Sequence, residues 1–129
     1  MPIDRKGLAL LVNANRVSLL KTYSFYISGS ASELVETLTE HAVQKGYVYE
    51  RRPPPGQTLR EWCVKNHAPQ WACRAAFDLL ITNDWTPKSD TEKAISARYI
   101  LLNNHSITEL WVDLLGDWLI VARDAKNEH

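Results

Sequence analysis

Cysteine is scarce in this chain. Two residues, Cys63 and Cys73, are expected as reduced thiols of an intracellular protein. Long apolar runs are also missing, and no segment reaches the length of a membrane span. Met1, Pro2, Ile3 and Asp4 lack the basic start, apolar run and cleavage site of a signal peptide. A soluble, cytoplasmic chain is therefore expected. Excess charge is absent too, since 15 Lys and Arg balance 15 Asp and Glu. That balance argues against bulk attraction to nucleic acid and leaves room for a local basic face. There is no phosphate-binding Gly-rich loop, dinucleotide fingerprint or zinc-protease motif. Neither an enzyme, a cofactor nor a metal is expected.

What is present points to helices. A chain of 129 residues with 45% apolar and 23% charged content fits one domain with a core of its own. The five Trp are many for this length, and indoles mostly fill cores or interfaces. Four Ser/Thr-x-x-Glu boxes, at Ser30/Glu33, Thr58/Glu61, Ser89/Glu92 and Ser106/Glu109, each precede apolar residues spaced near 3.6. The expectation is a mainly α, single compact domain of five or six helices over 1–129.

Taken in order, Asp4 caps a first helix at about 5–15, with Leu8, Leu11, Val12 and Asn15 on one side. The alternation in 22–27 favours a strand, so a short two-stranded β element pairing 23–27 with 47–50 is one expectation and a continued helix the other. Leu34, Val35, Leu38 and Ala42 form the inner face of the next helix, stopped by Gly46. Pro53, Pro54 and Pro55 make a stiff connector. A later helix turns Ile95, Tyr99 and Leu102 inward. The longest, about 107–125, carries Leu110, Trp111, Leu114, Leu115, Trp118, Leu119 and Ala122, with Gly116 its weak point. This stripe must be covered by the first helix and the 34–42 helix, or by a second copy of the chain.

The stretch 57–80 reads as two helices around a tight corner at His67 and Ala68. The first carries Leu59, Trp62 and Cys63 inward and stops near Asn66. Pro69 suits the first position of the second, where Ala72, Cys73, Ala76, Phe77 and Leu80 recur at helical spacing. A bihelical unit with small inward residues resembles the helix-turn-helix of DNA-binding domains over 58–80. The resemblance implies a small regulator of transcription binding double-stranded DNA, as a dimer. It would place Gln70, Trp71 and Arg74 in the major groove, Arg60 and Lys65 on phosphates, and Arg51 and Arg52 as a flanking arm. Five bases against one acid between 51 and 75 agree with that placement. The corner holds Asn66 and His67 where such motifs usually place Gly. The same pattern also fits a helical hairpin in an all-α core.

Other clusters carry less. Cys63, His67 and Cys73 could chelate, but His41 and His105 are distant, and two buried core thiols are the simpler reading. A Cys63–His67 nucleophile lacks an orienting third group. Glu36/Glu40 and Asp113/Asp117 read as solvated helix surface. Glu109, Asp113 and Asp117 form an acidic row on the last helix that would suit a basic partner. The alternative function is thus a non-catalytic interaction protein: an adaptor, an inhibitor or a small subunit of a nucleoprotein assembly. It would act through Trp-rich and acidic surfaces, with a protein partner at the last helix.

Overall fold

A computed structural model describes residues 5–127, and of these the side chains of 6–123; Asp4, the expected first cap, lies outside the described residues. Among the described residues there are eight α-helices and no strand. They are α1 (Arg5–Ala14), α2 (Ser18–Tyr26), α3 (Ala31–Lys45), α4 (Gly56–Lys65), α5 (Gln70–Thr82), α6 (Asp90–Leu102), α7 (Glu109–Leu115) and α8 (Asp117–Asn127). The mainly α class holds. The count exceeds the expected five or six, and the β element does not form: 22–26 is helical and 47–50 is irregular. In α2 the small residues of the alternation bond back to their own helix. Thr22 Oγ1 donates to the Ser18 carbonyl at 3.1 Å and Ser24 Oγ to that of Leu20 at 3.0 Å.

Caps decide where several helices begin. Ser30/Glu33 and Ser89/Glu92 form complete capping boxes on α3 and α6. Each satisfies amides that a helix end leaves without partners, worth about 0.5–2 kcal/mol. The other two boxes do not form. Gly56 already opens α4, so Thr58 is helical and cannot cap; Thr108 rather than Ser106 precedes α7, which puts Glu109 two positions too early. The early start of α4 depends on close approach. A Cβ on Gly56 would lie 2.8 Å from the Ser32 amide nitrogen, so this helix start packs directly onto the start of α3.

The chain divides into two compact units. Residues Arg16–Thr86 form one of them, containing α2 to α5. Here α5 packs against α2 and α3, and α4 packs against α3. Eight of the thirteen residues of α5 are buried, among them Ala72, Cys73, Ala76, Phe77 and Leu80, as their spacing predicted. The inner face of α3 is likewise buried at Leu34, Val35, Leu38 and Ala42, and Gly46 is its left-handed cap at φ 78°.

In the other unit α6 packs against α1, α7 and α8, and α1 packs against α8. Leu8, Ile95, Tyr99 and Ile100 are buried there. The expected long last helix is two helices, because Gly116 takes φ 53° and ψ −126°, a backbone region closed to residues with a Cβ. Breaking the helix re-aims its stripe. Leu115, Trp118, Leu119 and Ala122 are buried, Trp111 and Leu114 are half-buried, and Leu110 faces water. Within this unit the cover comes from α1 and α6. Trp118→Ala is expected to destabilise this unit by about 3–5 kcal/mol, read as a lower midpoint in chemical denaturation. An unchanged midpoint would show that the indole contributes no core packing.

Candidate functional site

Helix α5 carries one acid into the interior. Asp78 is 3% exposed, and a buried carboxylate without partners would be strongly unfavourable. His41 Nε2, from α3, donates to its Oδ2 at 2.9 Å, and the Tyr47 hydroxyl donates to the same oxygen at 2.5 Å. The Arg74 guanidinium lies over the Tyr47 ring, 4.0 Å from its centroid. His41, Tyr47, Arg74 and Asp78 thus tie α3, the turn after it and α5 together. Sequence reading missed this cluster, although one signal was present: Asp78 interrupts the apolar run from Ala75 to Ile81. The two hydrogen bonds to Asp78 clasp α3 and the segment after it onto α5.

Burial, the Asp78 hydrogen bond and the Asp78 charge together raise the Tyr47 pKa well above the ordinary phenol range, with Arg74 opposing. Burial does the same for Tyr23, whose hydroxyl donates to the Leu34 carbonyl at 2.7 Å. A phenol whose pKa is higher folded than unfolded stabilises the fold fully below its unfolded pKa of about 10. That contribution is lost as pH rises through the folded value. Stability is therefore expected to fall progressively above pH ~10, and less steeply in Tyr47→Phe, when denaturation midpoints are followed against pH. Equal slopes in the two proteins would contradict the linkage.

The expected DNA-reading residues do not share one open face. Gln70 is exposed at the start of α5. Trp71, expected to point outward, is 9% exposed: its ring meets that of Trp62 edge-on at 5.8 Å, and the Arg51 guanidinium lies 5.2 Å from its centroid. The physical reason is that α5 is gripped by both α2 and α3, which turns most of its circumference inward. Arg74 is half-buried on Tyr47. Arg52 is exposed in the extended connector, Lys65 is exposed in the last turn of α4, and Arg60 is exposed one turn earlier. The corner itself closes as a helix stop. Asn66 adopts φ 52°, the left-handed position Gly usually fills, and the His67 amide donates to the Trp62 carbonyl at 3.2 Å.

A different feature brings chemistry together. Between the exposed sides of α2 and α4 lies a groove of about 500 Å³. Leu34 and Leu59 line it as buried apolar side chains. Phe25 and Val64 also line it, yet they are 92% and 85% exposed. Among the described residues that line it, Lys21 and Arg60 are charged and none is acidic. Helical spacing explains the two walls, since Lys21, Ser24 and Phe25 share one face of α2, and Arg60, Cys63 and Val64 one face of α4. The sequence hid this wall because the alternation at 22–27 suggested a strand, which would put Ser24 and Phe25 on opposite faces.

The cysteines separate here. Cys73 is buried and its Sγ donates to the Arg16 carbonyl at 3.2 Å. Cys63, expected in the core, is only half-buried: its Sγ lies in the groove wall, 3.8 Å from Ser24 Oγ. Among the described residues no group of three His, Cys, Asp or Glu side chains is placed to hold a metal ion. None of the described helices is long and apolar enough to cross a membrane. No family model, curated protein or solved structure matches this chain. In the native protein a thiol reagent is expected to modify Cys63 and leave Cys73 intact until denaturant is added, as peptide mass mapping would show. Rapid labelling of Cys73 in the folded state would contradict its burial.

Proposed function

We propose that this protein is a non-catalytic interaction module that receives an amphipathic helix with acidic flanks in the groove between α2 and α4. One observation carries the reading: Phe25 and Val64 stand in water beside an apolar floor whose charged neighbours are both basic. Single exposed apolar residues are common and need no account. Two that face one concave surface are different. Covering each would gain roughly 1.5–3 kcal/mol, more than most rim contacts supply. Leucines at helical spacing would fill the groove, and acids beside them would meet Lys21 and Arg60. The cytoplasm, where thiols outside disulfides stay reduced, suits Cys63 and Cys73.

DNA reading through 58–80 has less support. A recognition helix needs a free side to enter the major groove, whereas α5 is packed on by two helices and its Trp71 is buried. The exposed surface also shifts the interaction reading away from tryptophan. Trp71, Trp85 and Trp118 are buried and Trp62 and Trp111 half-buried; the exposed aromatic residues are Phe25, Tyr26 and Tyr49 instead, of which Phe25 lines the groove.

A labelled synthetic helix with leucines at i, i+3, i+4 and i+7 and flanking glutamates tests the proposal by fluorescence anisotropy. Binding is expected, weakening about tenfold in Phe25→Ala, which corresponds to about 1.4 kcal/mol. Lys21→Glu with Arg60→Glu is expected to weaken it further and to flatten its salt dependence. No binding, or binding indifferent to Phe25→Ala, would remove the groove from consideration.

A further inference from the structure

The groove takes apolar side chains beside acids, and this chain exposes the two together on α7. On α7, Glu109, Leu110, Val112 and Asp113 are all exposed, Leu110 at 61% and Val112 at 51%. Asp117 and Ile120, the latter 58% exposed, continue the same character at the start of α8. Like charges one helical turn apart destabilise a helix by about 0.2–0.5 kcal/mol per pair, a penalty that a basic partner relieves. We infer that the occupant of the groove is the acidic α7–α8 face of a second copy of this chain.

The inference rests on the interaction-module reading and gives it a partner. Three features favour a second copy. The groove's two charged side chains are bases, and the face opposite offers Glu109, Asp113 and Asp117 with no base among the exposed residues from 109 to 120. Leu110, exposed and within one turn of Asp113, suits a surface made by Phe25 and Val64. The chain's net charge is zero, so copies do not repel one another at long range. Because the groove and the face are different surfaces, the contact is heterologous. Each bound copy leaves one groove and one face free, so assembly continues into open chains or closes as a ring.

Sedimentation velocity on the full chain over a concentration series tests this. The wild-type protein is expected to grow beyond a dimer as concentration rises. Lys21→Glu with Arg60→Glu removes the basic groove, and Glu109→Lys with Asp113→Lys reverses the face. All four residues are exposed, and a thermal melt of each double variant checks that it remains folded. Each variant alone is expected to be monomeric, with self-association weakened at least about tenfold. Mixed, the two should associate again, because the intact groove meets the intact face and the reversed, acidic groove meets the reversed, basic face. A wild-type protein that stays monomeric overturns the inference. So does a face variant that self-associates like wild type, or a mixture that does not associate. If the wild type is monomeric while Phe25-dependent binding of the synthetic helix persists, the second copy is wrong and the groove reading stands. Loss of both removes the groove as well.

Discussion

A buried carboxylate sets the arrangement of the 16–86 unit. Asp78 sits within the most buried helix, and its Oδ2 can be accommodated only where donors reach it. His41 comes from the middle of α3 and Tyr47 from the turn that Gly46 makes possible. Apolar contacts between α3 and α5 would tolerate sliding along the helix axis, since one leucine serves about as well as another. The hydrogen bonds to Asp78 do not. They select one register, and with it where the later connector leaves α3 and where α4 must return.

That register has a consequence at the surface. Once α3 and α2 hold α5, α4 packs on α3 with Gly56 against the backbone at residues 31 and 32. The exposed sides of α2 and α4 are left facing a common space above Leu34 and Leu59. Neither wall is long, and neither helix would show the groove by itself. The basic residues Lys21 and Arg60 come from segments 39 positions apart in sequence and meet only because α5 holds α2 while α3 packs on both α5 and α4.

Charge has a similar history. The basic excess between 51 and 75 reads in sequence as one patch. In the structure Arg51 is laid on Trp71, Arg74 on Tyr47 and Arg60 on the groove. A guanidinium stacked on a ring keeps its charge but gives up its freedom to track a phosphate backbone. The acidic row at Glu109, Asp113 and Asp117 is different, since all three remain in water as their spacing implied.

Local chemistry alone determined a good deal. The boxes at Ser30 and Ser89, the stop at Gly46, the inner face of α3 and the buried side of α5 could all be read from the chain. Each depends on residues within a turn or two of one another, so the neighbours that decide them are visible in sequence. Tertiary structure decided the rest. Whether 22–27 was helix or strand, whether Thr58 capped, and whether Trp71 faced water depended on helices distant in sequence. Even Gly116 shows the division: its weakness was legible, but the full break let Leu115 and Trp118 reach cover from α1 and α6. Burial is a property of surfaces brought together, and no single helix carries enough information to say which of its sides will be covered.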